Sequence, residues 1–411
     1  MVTGWKRSPS PHTSSAERER IRDIFLIFLQ LGLTSFGGPI AHLGYFREEF
    51  VVRRRWLSER SYADLVALCQ FLPGPASSQV GMALGLMRRG YAGVLAAWAG
   101  FTLPSALLMI LFALGLSHSA ALLPAGVVHG LKIVAVAVVA QAVWGMARTL
   151  CTDATRVTLM TVAACVALAL PSAPTQIGII AAAGLFGLTL FRPEPAAHHD
   201  PLPLRLRRRI GSIWLGLFLA LLIGLPILAE VFPAPIVAVI DAFYRAGALV
   251  FGGGHVVLPL LQAAVVPAGW VDGQTFLAGY GAAQAVPGPL FTFAAFLGAS
   301  LQAGPSGWVG GAVCLLAIFA PSFLLVAGAL PFWAHLRSNR HMRASLAGIN
   351  AAVVGVLLAA LYDPVWTNAI GTPIDFALGL LAFVALMFWR LPPWLVVLGC
   401  GLGGGLLGIT G

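Results

Sequence analysis

The chain has 411 residues, of which 59% are hydrophobic and only 10% are charged, and its mean hydropathy is +0.88. Soluble globular proteins carry roughly 25% charged residues, so this composition excludes a soluble domain and predicts an all-α polytopic membrane protein. The net charge of +10 does not indicate nucleic-acid binding. The arginines instead cluster in short polar stretches between apolar runs, where the positive-inside rule places them.

The first 23 residues are polar and basic and lack the apolar stretch of a secretory signal peptide. We therefore predict a cytoplasmic N-terminal tail over 1–23. No C-x-x-C spacing occurs, which predicts neither a metal site nor a disulfide framework. We expect no metal, no cofactor and no catalytic residue. The five cysteines are scattered at Cys69, Cys151, Cys165, Cys314 and Cys400.

Glycine–proline elements interrupt the apolar runs, and they occur twice in the same order. Two shorter motifs are also repeated at nearly the same spacing. They are Leu103-Pro104-Ser105 with Ala320-Pro321-Ser322 and Gly130-Leu131-Lys132 with Gly348-Ile349-Asn350. Four landmarks in one order indicate an internal duplication. Apolar segments broken at matching places in two halves are typical of a transporter binding site. The elements are FGGP (Ser35-Phe36-Gly37-Gly38-Pro39), the first PGP (Gln70-Phe71-Leu72-Pro73-Gly74-Pro75), FGGG (Val250-Phe251-Gly252-Gly253-Gly254) and the second PGP (Gln284-Ala285-Val286-Pro287-Gly288-Pro289).

Basic residues alternate between the two halves. Wherever a loop of one half is basic, the matching loop of the other half lacks Lys and Arg. Because basic loops mark the cytoplasmic side, the alternation predicts two repeats of inverted topology. The basic stretches are 47–60, 88–89 and 148–156 in the first half and 337–343 in the second, and their matches are 262–275, 303–307, 363–373 and 117–124.

The loop charges also predict a layout for the whole chain. Because the tail and the stretch 47–60 both read as cytoplasmic, segments 24–46 and 61–87 must each enter the membrane and return. Irregular backbone at that depth is tolerated only where protein or a water-filled cavity surrounds it. The alternative is that each element is a kink in a complete span and one loop departs from the rule. The predicted regions are the tail 1–23, a first repeat 24–191, a basic cytoplasmic linker 192–210, a connecting transmembrane helix 211–233 and an inverted second repeat 234–411 with a periplasmic C-terminus.

The PGP elements predict an anion site. A helix that restarts after Pro-Gly-Pro exposes the N–H groups of its first turn, and these groups bind anions together with the positive end of the helix dipole. Glutamines and hydroxyls near the restarts add donors, and the glycines allow close approach of the backbone. The predicted substrate-binding residues of the elements are Phe36, Gly37, Gly38, Pro39, Gln70, Pro73, Gly74, Pro75, Ser77, Ser78, Phe251, Gly252, Gly253, Gly254, Gln284, Pro287, Gly288, Pro289 and Thr292.

Ionisable residues within apolar segments add further candidates, because such residues are costly in a membrane and are functional by default. Lys132 and its repeat counterpart Asn350 are assigned to substrate binding, as is Arg245, which can pair with Asp241 at i,i+4. The alternatives are an interfacial Asp241–Arg245 bridge and a Lys132 that snorkels to the surface. The candidates for proton coupling, which can equally be structural residues, are His42, Asp64 and His255.

The motif set resembles the chromate ion transporter (CHR) family in its long, two-domain form. The first half carries Thr34 and the FGGP element, then Phe46-Arg47-Glu48-Glu49 and the first PGP element, and the second half carries FGGG, Pro287-Gly288-Pro289 and 348–355. The resemblance implies a multi-pass protein of the bacterial inner membrane. It implies a proton-driven antiporter that exports chromate and confers chromate resistance, with chromate, protons and the lipid bilayer as partners. Gly254 replaces Pro39 in the second half, so the two sites need not be equivalent.

Other functions are compatible with parts of this pattern. Sulfate or another tetrahedral oxyanion has the shape and charge of chromate, and it could move inward. A membrane-embedded phosphatase-like enzyme would need clustered carboxylates or a nucleophile–base pair, which the 15 acidic residues do not supply. A passive channel lacks the rings of one charge that anion pores often show. A homodimer is left open.

Overall fold

The computed structural model describes residues 20–118, 124–192, 207–333, 336 and 339–406, and these residues form helices and no strand. Most of the predicted tail and linker lie outside the described residues, as do Arg337 and positions 407–411. The helices of the first half are α1 (Ile21–Thr34), α2 (Gly38–Arg47), α3 (Glu59–Phe71), α4 (Ala76–His118), α5 (Ala125–Leu150), α6 (Ala154–Ala169) and α7 (Ala173–Leu190).

The second half follows a connecting helix and repeats the order of long and short segments. A π-helical turn, Glu48–Arg53, extends α2, and the second half contains another, Leu361–Trp366. The remaining helices are α8 (Arg208–Val231), α9 (Pro235–Ala248), α10 (Val257–Val265), α11 (Gly273–Ala283), α12 (Phe293–Ala299), α13 (Gly307–Ala329), α14 (Arg340–Ala360), α15 (Pro373–Met387) and α16 (Pro393–Leu406).

The helices break at the glycine–proline elements. Helix α1 ends before Ser35, and the chain turns at Gly37 and Gly38, whose φ angles of 100° and 79° lie in the region that favours glycine. Gly74 and Gly288 have φ angles of 119° and 98° between their flanking prolines. A residue before proline is disfavoured in the helical region, so α3 and α11 end just upstream of these positions.

Both halves contain a fold-back just after the PGP element. Within α4, Arg89 and Gly90 leave the helical conformation, and a Cβ on Gly85 would collide with the carbonyl of Gly93. Residues eight positions apart in one straight helix lie about 12 Å apart, so the chain reverses at Arg89-Gly90. Gly298 and Gly310 make the equivalent close contact in the second half.

The two halves are interlocked by reciprocal packing. Helix α5 of the first half packs on α15 and α16 of the second, and α14 of the second half packs on α6 and α7 of the first. Glycines form both seams: Gly130 lies against the Cys400 carbonyl, and its repeat counterpart Gly348 lies against the Ala183 carbonyl. Each half therefore supplies its last two helices to one helix of the other half, α5 or α14.

Six helices are long and apolar enough to cross a membrane, judged by length and composition within the described residues. Helix α8 exposes Ile213, Ile223 and Val231, as expected for a helix surrounded by lipid. The predicted all-α polytopic membrane class is confirmed. The inverted orientation of the halves and the boundaries of the predicted regions stay predictions. The six segments are Ala76–Ser117, Ala125–Leu150, Ala173–Leu190, Arg208–Val231, Gly307–Phe332 and Arg340–Ala369.

Opposite orientation can be tested by labelling in a cysteine-free background. Val52 and Ala268 are exposed and lie in the stretches 47–60 and 262–275. We expect a membrane-impermeant maleimide added to intact cells to label Ala268→Cys and to leave Val52→Cys unlabelled until the cells are opened. Labelling of both variants from the same side would contradict the inverted arrangement of the repeats.

Candidate functional site

The four glycine–proline elements meet at one place, which we call the crossing site. The Gly74 N–H donates to the Val250 carbonyl at 2.7 Å, and the Gly288 N–H donates to the Ser35 carbonyl at 2.9 Å. Gly74 and Gly288 are equivalent positions of the two halves, as are Ser35 and Val250. Each PGP element is thus tied to the glycine element of the opposite half. The side chain of Pro39 also faces its own repeat counterpart, Gly254.

Two equivalent serines, from Leu103-Pro104-Ser105 and Ala320-Pro321-Ser322, complete the crossing site, and here the halves differ. Ser105 Oγ donates to the Pro287 carbonyl and lies against Gly288. The equivalent Pro73 carbonyl instead accepts from Gln79 Nε2 at 2.6 Å, and the second half has Phe293 at the position of Gln79. As a result Ser322, the counterpart of Ser105, lies beside Gly74 with its hydroxyl unused.

Several polar groups at and beside the crossing site have no hydrogen-bond partner among the described residues. A buried polar atom without a partner is destabilising by about 1–3 kcal/mol, so such atoms indicate where an ion or water binds. Ser35, Gln79, Thr102 and Ser322 are fully buried, and Ser78 is almost so. The unpartnered atoms are Ser35 Oγ, Ser78 Oγ, Gln79 Oε1, Thr102 Oγ1, Gln284 Nε2 and Ser322 Oγ.

Helix α4 starts directly after the first PGP element and carries free hydrogen-bond donors in its first turn. The first-turn N–H groups of an α-helix have no intrahelical acceptor, and this turn carries the buried hydroxyls of Ser77 and Ser78. The second PGP element leads instead into a 3₁₀ turn, Leu290–Thr292, before α12. Thr292 Oγ1 there donates to the Pro289 carbonyl at 2.9 Å. The first-half element therefore offers more free donors than the second.

His42 links the two elements of the first half. Its Nε2 lies 3.2 Å from the Ser35 carbonyl, and its Nδ1 lies 3.4 Å from Ser77 Oγ. The carbonyl can only accept, so Nε2 carries the proton and Nδ1 accepts from the serine. The ring is buried and packs edge-on against Phe101. Both nitrogens of His42 are thus engaged in holding the backbone of the crossing site.

Some of the other predicted residues lie at the edge of this site. The Asn350 side chain lies next to Gly252, and the ring of Phe36 lies 6.4 Å from that of Trp394, centroid to centroid. Gln70 is exposed, whereas Gln284 is partly buried. The structure therefore places Asn350 and Gln284 nearer to the buried part of the crossing site than Gln70.

The remaining candidates make contacts away from the crossing site. Lys132 Nζ donates to Gln274 Oε1 at the start of α11. Arg245 pairs with Asp241 and lines a small cavity between α7, α9 and α10. His255 Nδ1 lies 2.8 Å from Tyr280 Oη, and Asp64 Oδ2 accepts from Trp333 Nε1 at 3.0 Å. Their assignments to substrate binding or proton coupling stay predictions.

One buried pair was missed by the sequence analysis. His129 Nε2 lies 3.0 Å from Asp375 Oδ1, and both side chains are buried. The two residues are 246 positions apart, so the sequence could not show their contact. The available signal was the i,i+3 spacing of His129 and Lys132 within one apolar helix.

Comparison with known proteins agrees with this architecture. The sequence model of the chromate transporter family matches residues 22–188 and 237–405. The chain belongs to the chromate transporter family. Because the family model matches twice, both halves are related to the same domain, and the predicted family membership is confirmed. No solved structure matches the chain.

Three relatives that match most of this chain are named for chromate transport. The chromate transport protein of Pseudomonas aeruginosa is 27% identical over 401 residues, covering 93% of this chain and 92% of that protein. The chromate transport protein of Cupriavidus metallidurans is 26% identical over 402 residues (96% and 94%). The probable chromate transport protein of Synechococcus elongatus is 27% identical over 380 residues (90% of each). Chromate as the transported ion fits this family.

Proposed function

We propose that this protein exports chromate from the cytoplasm across the bacterial inner membrane, driven by the proton gradient, and that the crossing site binds the anion. The observation that carries the proposal is the convergence of buried, unpartnered polar atoms where the four broken segments meet. Discontinuous helices whose N-termini point at an anionic group are typical of transporter binding sites near the midplane. No catalytic step is assigned.

The chemistry of the crossing site suits a tetrahedral dianion. Serine hydroxyls and backbone N–H groups donate without carrying a full charge, so they bind an anion without trapping it by strong Coulomb attraction. Ser78 stands on the first turn of α4, and Ser322 of the second half lies beside Gly74. The anion is thereby approached by donors of both halves. Sulfate has the same shape and charge and is the alternative substrate.

Transport in inverted vesicles tests substrate, direction and energy source together. We expect vesicles containing this protein to accumulate labelled chromate when a proton gradient is imposed, and to accumulate less when the gradient is collapsed. Labelled sulfate in parallel vesicles is the comparison, and vesicles without the protein are the control. Accumulation of sulfate without chromate, or equal uptake in the control vesicles, would contradict chromate export.

The hydroxyls of the crossing site give a second test. We expect Ser78→Ala and Ser322→Ala each to raise the half-saturating chromate concentration roughly tenfold, because a hydrogen bond to a charged group contributes about 1.5 kcal/mol or more. Ser212→Ala is the matched control, since that exposed hydroxyl only bonds the Arg208 carbonyl of its own helix. Unchanged half-saturation in both crossing-site variants would place the anion elsewhere.

A further inference from the structure

Three buried ionisable residues and one exposed glutamine form a cluster outside the crossing site, where α5 meets α11 and α15. It comprises His129 and Lys132 on α5, Asp375 on the first turn of α15 and Gln274 on the first turn of α11. His129, Lys132 and Asp375 are each at least 95% buried. Ionisable groups at such positions in a membrane protein mark ion or proton pathways.

The hydrogen bonds of the His129–Asp375 pair determine which of its atoms carries the shared proton. Asp375 Oδ2 accepts the backbone N–H groups of Gly371 at 3.1 Å and Thr372 at 2.8 Å, and these bonds favour the ionised carboxylate. Its Oδ1 can then only accept, so His129 Nε2 carries the proton of their 3.0 Å bond. This leaves the lone pair on His129 Nδ1, which is buried and has no partner among the described residues.

We propose that His129 is the proton carrier of this transporter and that Asp375 is its fixed counter-charge. The inference rests on the proton-driven export proposed above. A proton from the outer water adds to the lone pair of His129 Nδ1 and converts the imidazole to an imidazolium, which Asp375 stabilises through Nε2–H. The proton later leaves Nδ1 for the cytoplasmic side, and the neutral imidazole returns. No other bond is made or broken.

The surroundings of the pair suit this role. Gly371, Thr372 and Gln274 are exposed, so the buried pair lies one residue layer beneath the surface. Lys132 interacts electrostatically with Asp375, and with a neutral His129 the Lys132–Asp375 charges balance. Protonation makes the cluster net positive. Other elements packed against α5 also carry titratable side chains. Those described are Cys400 of α16, Tyr280 of α11, Tyr362 and Asp363 of the second π-helical turn, and Arg340, His341 and Arg343 at the start of α14.

Helix α11 connects this cluster to the crossing site. At the start of α11, Gln274 accepts a hydrogen bond from Lys132. Near its end, a Cβ on Gly281 would collide with the Leu131 carbonyl of α5. The second PGP element begins directly after α11, at Gln284. A change in charge at His129 therefore acts on the helix that positions one of the four elements of the crossing site.

The test compares exchange with gradient-driven transport in vesicles containing the full-length protein. Exchange of labelled for unlabelled chromate requires no net proton movement, whereas accumulation driven by an imposed pH gradient does. We expect Asp375→Asn and His129→Asn to retain chromate exchange and to lose the stimulation by the gradient. Asp363→Asn is the control, because that exposed carboxylate only bonds Thr367 Oγ1. It should respond to the gradient like the wild type.

Each contrary result has its own meaning. A gradient response in either pair variant overturns the role of His129. Loss of both exchange and response, or absence of both variants from the membrane, shows a structural pair and also overturns it. A wild-type protein that exchanges chromate without responding to the gradient removes proton coupling and leaves chromate transport standing. A wild-type protein that moves no chromate overturns the proposed function itself.

Discussion

We expect Gly288→Ala to abolish chromate transport and Gly269→Ala to leave it unchanged. Both glycines have positive φ angles, 98° and 69°, so alanine introduces a similar backbone strain of about 1–2 kcal/mol at each. Their surroundings differ. A Cβ on Gly288 would overlap Ser105 Oγ and lie 3.2 Å from the Phe101 carbonyl, whereas a Cβ on Gly269 would meet no atom within 4 Å.

The collision between a Cβ added at Gly288 and Ser105 would occur at a hydrogen bond that joins the two halves. To accommodate a methyl group, Gly288 must move away from Ser105, and its N–H then moves from the Ser35 carbonyl that it contacts at 2.9 Å. We expect both variants to reach the membrane, and we expect labelled chromate accumulation in vesicles to fall to the background in Gly288→Ala alone. Wild-type accumulation in Gly288→Ala would show that the crossing site tolerates displacement of its backbone.

Gly74→Ala extends the same comparison to the other half. A Cβ at this position would lie 2.7 Å from both Gln79 Nε2 and Ser322 Oγ. Gln79 is bonded to the Pro73 carbonyl as Ser105 is to the Pro287 carbonyl, but the Cβ overlap is smaller at Gly74 than the 2.2 Å approach to Ser105 Oγ at Gly288. The Ser322 hydroxyl also has no partner among the described residues and can turn away. We therefore expect the loss in Gly74→Ala to be smaller than in Gly288→Ala, measured in the same vesicles.

The sequence predicted where the chain breaks but not what the breaks contact. Glycines with positive φ and prolines after them are local signals, so positions 37, 74 and 288 could be identified from the sequence alone. The bonds from Gly74 to Val250 and from Gly288 to Ser35 depend on tertiary packing. Each bond joins residues of different halves, so the sequence of one half cannot predict it.

Charged residues in apolar helices were recognised, but their partners were only partly predicted. The Asp241–Arg245 contact follows from i,i+4 spacing on one helix. Lys132 and Asn350 occupy equivalent positions of the repeat, but their contacts differ. Lys132 donates to Gln274, whereas the Asn350 side chain lies next to Gly252. The sequence does not predict a role for Asp375, because Thr372 and Asp375 form a capping box and this pattern is typical of an ordinary helix start.

Arg245 is the candidate whose substitution most clearly separates substrate binding from stability. Asp241 is 4% exposed and its pairing with Arg245 leaves Asp241 Oδ1 and Arg245 Nε buried without partners. The guanidinium also lines the cavity between α7, α9 and α10. Arg245 Nε thus has no partner among the described residues, which is why its predicted role in substrate binding is worth testing.

Arg245→Gln leaves the buried Asp241 carboxylate without its cation, which is destabilising. We therefore expect this single variant to aggregate at lower temperature in detergent and to lose transport. The double variant Asp241→Asn/Arg245→Gln carries a neutral pair of nearly the same shape, and we expect it to recover thermal stability. Asp241→Asn alone should be less destabilised than Arg245→Gln, because the Arg245 side chain is 32% exposed and its charge can be solvated, and it should stay active because the guanidinium remains available to the anion.

The double variant decides the role of Arg245. If Arg245 binds chromate, the stable double variant still fails to accumulate it in vesicles, since no cation replaces the guanidinium in the cavity. Accumulation at the wild-type level in the double variant would mean that the pair is only a bridge within α9. Measuring aggregation temperature and chromate accumulation on the same preparations keeps the two effects apart, because loss of folding lowers both and loss of binding lowers only the second.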